Sequence, residues 1–175
     1  MSCDSELTTE RLRLEPFTTD DAAFALTLLN EPSFHQYIGD KGVRDLDGAR
    51  RYLETGPLAS YTRHGHGLLR VGLRDDATPI GMCGLLRRDS CPDPDIGFAF
   101  LPAYWGQGYA LEAARAVLEH GRATLKLRRI VAFTAPDNER SGRLLERIGL
   151  RFEGLETMPG CGENRRYAIE LDADA

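Results

Sequence analysis

Two stretches of this 175-residue chain combine residue types and spacings that can do chemistry. The first is Trp105-Gly106-Gln107-Gly108-Tyr109-Ala110, which follows an apolar run and precedes a helical pattern. A strand that turns through glycines into a helix leaves the first helical N–H groups unpaired. It also aims the positive end of the helix dipole at the same spot, and the pair of effects suits a phosphate. Other nucleotide patterns fit poorly. A dinucleotide fingerprint would need glycine where Leu111 stands and an acidic residue about twenty positions later, where Arg128-Arg129 occurs. The segments before the loop read as an antiparallel meander, not an opening βαβ unit. No G-x-x-x-x-G-K-[ST] occurs. A helix start whose glycines serve only the tight turn is the competing reading.

The second stretch is Asn138-Glu139-Arg140-Ser141. Asn138 stands where an N-cap belongs. Ser141 precedes Leu144, Leu145 and Ile148 by 3, 4 and 7 residues, so its hydroxyl shares their apolar stripe, where a purely structural sequence would carry an aliphatic residue. A bond to a carbonyl one turn back would also explain it. His64-Gly65-His66 supplies two imidazoles but no third ligand, a pattern expected in solvent and not at a metal. Cys3, Cys83, Cys91 and Cys161 form no C-x-x-C pair and no metal-type spacing with the four histidines, so reduced thiols are expected.

Recognisable elements surround both stretches. Arg11 to Leu14 alternates as a strand, and Thr18 to Asp21 offers N-caps for a helix over Ala22 to Leu29 that Pro32 stops. A second helical segment, Asp45 to Tyr61, is expected to break at Gly56-Pro57. Leu68 to Arg74 and Ile80 to Leu86 read as a hairpin, followed by a strand from Asp95 to Leu101. Ala110, Ala113, Ala114, Val117 and Leu118 mark the buried face of the next helix, with Glu112, Arg115, Glu119 and Arg122 opposite. Arg129 to Ala135 is a strand, a helix ends at Gly149, and Arg151 to Glu156 and Arg165 to Leu171 close the chain around Pro159-Gly160-Cys161-Gly162. The pattern predicts one α/β domain over residues 1–175.

Ile96 to Ala113, with the phosphate-type loop at its centre, resembles the acetyl-CoA motif of the GNAT superfamily of N-acetyltransferases. Asn138 to Ser141 leading to Glu146-Arg147-Ile148-Gly149-Leu150-Arg151-Phe152, and the opening Thr9-Glu10-Arg11-Leu12-Arg13-Leu14, extend the resemblance to the RimJ/RimL-type branch, whose named members acetylate N-termini of ribosomal proteins. The resemblance implies a mixed, mostly antiparallel sheet of six to seven strands with helices on both faces. It implies acetyl-CoA as donor and a primary amine as acceptor, either a protein N-terminus or a small molecule. Trp105 occupies a position where the resembled superfamily usually has Gln or Arg, so the backbone of Gly106 to Ala110 is expected to supply more of the pyrophosphate binding.

Acetyl transfer needs a neutral amine, donors for the oxyanion and a proton for the departing thiolate. An alkyl amine with a pKa of ~10 is mostly protonated at neutral pH, so a carboxylate or water relay must take a proton. Asp95, Asp93 and Glu163 are candidates; Asp95 stands where the resemblance often places a Glu facing the cleft. The resemblance also places oxyanion and pantetheine donors on the strand near Phe98, Ala99 and Phe100, amide binding at Asn138, and sulfur binding or protonation at Ser141, with Tyr167 as a fallback acid. His35 and Tyr37, between the first two helices, fall in the region that shapes acceptor specificity in proteins this chain resembles; ordinary loop residues are the alternative reading. A non-catalytic CoA-binding or regulatory module is the alternative on the same fold.

Composition bounds the partners. The chain carries 22 basic and 27 acidic residues, a net charge of −5, so no general cationic field exists for nucleic acid or an anionic membrane. Its polar, acidic start lacks signal-peptide features, and the longest apolar stretch, Ala22 to Leu29, falls far short of the ~20 residues that span a bilayer. A cytoplasmic chain is expected, with a homodimer left open by the dimers common among similar proteins.

Overall fold

Leu12 and Leu14 are fully buried while Arg11 and Arg13 are exposed, so the alternation in this segment is that of a strand with one face in the core. The same logic repeats across the computed structural model, which describes residues 6–172. The strands are β1 (Leu7–Thr8), β2 (Leu12–Pro16), β3 (Leu68–Leu73), β4 (Pro79–Leu86), β5 (Asp95–Phe100), β6 (Arg129–Thr134), β7 (Arg151–Met158) and β8 (Gly162–Glu170). They form one sheet in the order β1-β2-β3-β4-β5-β6-β8-β7. Every neighbouring pair is antiparallel except β5 and β6. The sheet therefore has eight strands where six to seven were expected. The extra one is β1, two residues long and too short to show alternation.

The helices are α1 (Ala22–Leu29), α2 (Pro32–Tyr37), α3 (Leu46–Leu53), α4 (Ala59–His64), α5 (Tyr109–Ala123) and α6 (Glu139–Arg147). The apolar stripe of α5, with Leu145 of α6, joins Leu14, Val71, Ile96 and Ile130 in one core. On the other face, α1 to α3 pack Leu28, Phe34 and Leu53 with Leu68 and Met82. Among the described residues no helix is long and apolar enough to cross a membrane.

Two local expectations fail. Gly56-Pro57 does not break the second helical segment: α3 runs through a π-turn at Glu54–Leu58 into α4, and the Ala59 N–H bonds to the Glu54 carbonyl five residues back. Widening the turn accommodates a proline that has no N–H and would crowd the carbonyl four residues earlier. His35 and Tyr37 belong to the short helix α2, started by Pro32, and not to a loop.

Candidate active site

The site begins with a mismatch between two strands. β5 pairs with β4 along its whole length, from Leu86↔Asp95 to Gly81↔Phe100, but with β6 only at Asp95↔Val131. Beyond that point the strands part. Because Leu101 donates to Ile80 of β4, alternation sends the N–H groups of Ala99 and Gly97 to β4 and those of Phe98 and Phe100 into the gap. Register thus selects two of the three expected donors. Ala99 meets the cleft through its side chain, its N–H being directed into the β4 ladder. The Phe100 carbonyl accepts the Trp105 indole N–H at 2.8 Å, which ties the strand end to the glycine loop.

That loop holds Gly106 at φ 75° and Gly108 at φ 83°, left-handed values that strain any residue with a Cβ. Gly108 caps α5 without a side-chain bond, so the first N–H groups of the helix face outward as donors. The loop is braced from the link between β1 and β2. Arg11 donates to the Gln107 carbonyl at 2.9 Å, stacks 4.4 Å over the Tyr109 ring and bonds Glu112 at 2.9 Å. Thr9 donates to the same carboxylate at 2.6 Å. Burial alone would raise the Glu112 pKa, but the Thr9 and Arg11 hydrogen bonds outweigh it and hold it below the ordinary range. Opposite, the Arg140 guanidinium lies 4.8 Å over Trp105.

The other side of the gap is built by β6 and α6. Asn138 Oδ1 accepts the Ser141 N–H at 3.3 Å, an N-cap that leaves its amide nitrogen without a partner among the described residues. Ser141 is half-buried and lines the cleft. The helix sits close to β8 because residue 142 is glycine: a Cβ there would come within 2.6 Å of the Tyr167 hydroxyl. Tyr167 is otherwise a core residue that accepts from Arg165 Nε at 3.1 Å. Thr134, which sequence reasoning missed, is 7% exposed, lines the cleft, and its hydroxyl has no partner among the described residues. The available signal was the one that singled out Ser141, a hydroxyl completing the buried face of Ile130 and Ala132.

The three candidate carboxylates separate. Asp95 is 2% exposed at the foot of the cleft and accepts Arg88 Nε on both oxygens, at 3.1 and 3.2 Å. Burial pushes its pKa up and Arg88 opposes the shift without cancelling it. Asp93 turns away to Arg129 at 3.3 Å and Arg166 at 4.0 Å. Glu163 is exposed on the cleft wall. His35 and Tyr37 of α2 line the same cleft.

No group of three or more His, Cys, Asp or Glu residues suited to a metal occurs among the described residues. The expectation of a solvent-exposed histidine pair fails for His66, which is buried with Nδ1 3.0 Å from the Leu85 carbonyl. It lies in the link that leads into β3, on the buried side, while His64 stays exposed at the end of α4.

The acetyltransferase (GNAT) domain model matches residues 11–151. A Bacillus subtilis (strain 168) protein named only as an uncharacterized N-acetyltransferase, YnaD, is 30% identical over 149 residues, covering 85% of this chain and 84% of its own. The acetyltransferase from Agrobacterium tumefaciens str. C58 is 27% identical with a TM-score of 0.82, covering 95% of each chain. RimL, a ribosomal L7/L12 alpha-N-protein acetyltransferase solved with coenzyme A, shares the fold at a TM-score of 0.84 and 17% identity, over 97% of this chain and 100% of its own. With its divergent β5–β6 pair, its braced glycine loop and a family match across most of its length, the chain belongs to the GNAT acetyltransferases.

Proposed function

We propose that this single-domain, cytoplasmic chain takes the acetyl group of acetyl-CoA and delivers it to a primary amine by direct transfer in a ternary complex, in the manner of the RimJ/RimL-type branch. The acceptor would be a protein N-terminus or a small molecule. The observation that carries this reading is the gap between β5 and β6, which opens unpaired backbone donors beside the N-terminus of α5. The residues present fit the donor. The outward N–H groups of Gly106 to Ala110 suit a pyrophosphate, with Trp105 and Gln107 shaping the loop and Arg140 adding positive charge. Phe98 and Phe100 offer strand-like pairing to the pantetheine amides, and Asn138 and Thr134 face them from α6 and β6.

Acetyl-CoA supplies an acetyl group already activated as a thioester. The N–H groups of Phe98 and Phe100 receive the negative charge that develops on the acetyl oxygen, as donors already in place before the reaction. Ser141 donates a proton toward the sulfur. Asp95, raised by burial toward the range useful for a base, takes the amine proton through a water because its carboxylate is enclosed. Cys83 is no rival nucleophile, since its thiol is buried and burial pushes it up.

Thiol release from acetyl-CoA, followed across free amines, amino acids, antibiotics and protein N-termini with mass analysis of products, tests the reading. Failure to bind acetyl-CoA or CoA ends it. Binding without transfer to any amine would identify a non-catalytic CoA module, and acetylated protein formed before acceptor is added would overturn direct transfer.

A further inference from the structure

We propose that the acceptor carries an oxyanion, a carboxylate or a phosphate, close to its amine, and that Arg88 binds it. The inference rests on the acetyl-transfer reading and adds the class of acceptor.

Arg88 follows β4 and Asp95 opens β5, so the loop at 87–94 folds the guanidinium back onto the carboxylate. Arginine–carboxylate pairs are frequently fork to fork, one N–H to each oxygen. Here a single Nε hydrogen reaches both Asp95 oxygens, at 3.1 and 3.2 Å. The two Nη nitrogens, with their four N–H donors, have no partner among the described residues. The Asp95 side chain is 3% exposed and that of Arg88 is 38% exposed on the cleft. A buried anchor thus fixes the plane of the guanidinium and leaves its donor-rich end to the solvent side, an arrangement that matches a planar carboxylate or a phosphate.

The charges around it point the same way. The acceptor half of the cleft holds Arg87, Arg88 and Lys41 against Glu31, Asp95 and Glu163, and apart from the Arg88–Asp95 pair none has an ion partner among the described residues. Such a wall has no excess of carboxylate to select a polycation. It suits a ligand bearing both charges, its amine toward Asp95 and its oxyanion on Arg88. An amino acid, or an amine with a neighbouring phosphate, has that form.

The test compares kcat/KM within pairs of acceptors that differ only in the anion: an amino acid against its carboxamide, and an aminoalkyl phosphate against the corresponding amino alcohol. The anionic member of at least one pair is expected to lead by about tenfold or more, the worth of a charge-assisted pair. Which pair shows the lead distinguishes carboxylate from phosphate. In Arg88→Gln the ratio falls to near one and in Arg88→Lys to an intermediate value; because each ratio is taken within one variant, any general loss of rate cancels. No preference in the wild type, or a preference unchanged in Arg88→Gln, overturns the proposal while leaving amine acetylation standing. If no amine is acetylated, the transfer reading fails, and the subsite is read separately by titrating inorganic phosphate into the CoA-saturated protein and following the Arg88 Nε–H resonance. A saturable shift supports the subsite and its absence overturns it. Saturating CoA keeps phosphate from the glycine loop.

Discussion

The two walls of the cleft are built by different means. The donor wall is assembled from a strand, a glycine turn and a helix that follow one another in the chain, with α6 as a second helix N-terminus beside it. On the proposed reading its binding groups are mostly backbone N–H, freed by geometry and indifferent to side-chain identity. The acceptor wall gathers side chains from α2, from the loop after β4 and from the turn between β7 and β8. Its Arg88 is held on Asp95 by hydrogen bonds to both carboxylate oxygens. A wall made of backbone holds one ligand class firmly, whereas a wall made of separate loops can change its ligand by changing a side chain. On the proposed reading this is a division of labour between a wall for the acetyl donor and a wall for the acceptor, and it follows from how each wall is made.

If the division is sound, acceptor-wall changes move acceptor kinetics and donor-wall changes move acetyl-CoA kinetics. The largest effect is expected for Asp95→Asn, with kcat/KM for the amine about a hundredfold lower and acetyl-CoA binding little changed. Steady-state kinetics against both substrates decide it, and an equal loss of acetyl-CoA affinity would erase the boundary between the walls. The wild-type rate should climb with pH through a value above the ordinary aspartate 3.8, because folding raises this pKa. The same shift sets the sign for stability. A carboxylate raised in the folded state costs nothing below its unfolded pKa, and stability is lost as pH rises from there through the folded value. The Asn variant lacks that loss, so its Tm relative to wild type should increase from acid to neutral pH.

Ser141→Ala is expected to lower kcat about tenfold with acetyl-CoA KM nearly unchanged, since a proton to the leaving sulfur is needed only as the thioester breaks. Stopped-flow thiol release would separate this from a binding defect.

Glu112→Gln loosens the brace under the glycine loop and should raise acetyl-CoA KM by about threefold, roughly the effect of one weakened charge-assisted bond at a half-exposed site. Glu112 has a lowered pKa, so its stabilising contribution is present above the ordinary glutamate value of 4.5 and is lost as pH falls through the lower folded value. The Tm gap between variant and wild type should therefore close in acid.

The smallest effect belongs to Asn138→Ala, about 1 kcal/mol of stability from the lost cap. Asn138→Asp keeps the cap and removes the amide donors, so restored Tm with a raised acetyl-CoA KM would divide capping from ligand contact.

Much of the donor wall was legible because its signals are local. Gly106 and Gly108 between an apolar strand and an alanine-striped helix describe the loop, and the spacing of Ser141 from Leu144 and Leu145 places it on the stripe. The brace was not legible as such: Arg11 meets Gln107 and Glu112 across 96 and 101 residues, and nothing in the spacing of either segment announces the other. Arg88 escaped notice because an arginine in a charged loop reads as solvated until its partner is known to be buried. The π-turn at Glu54–Leu58 was hidden because Gly-Pro ordinarily ends a helix, and only packing of Leu53 and Pro57 into the interior repays the widened turn.

By itself the sequence determined the periodicities, the turn chemistry and the helix starts, since these depend on neighbours within a few residues. It thereby determined an α/β sheet with a phosphate-type loop at its centre. Only the tertiary structure decided that β5 and β6 touch at Asp95 and then part, that the N–H groups of Phe98 and Phe100 face the gap while that of Ala99 does not, and that one guanidinium nitrogen holds both oxygens of a buried carboxylate. Those outcomes depend on sheet twist, register and burial, which are fixed by the whole packed core and not by any one segment.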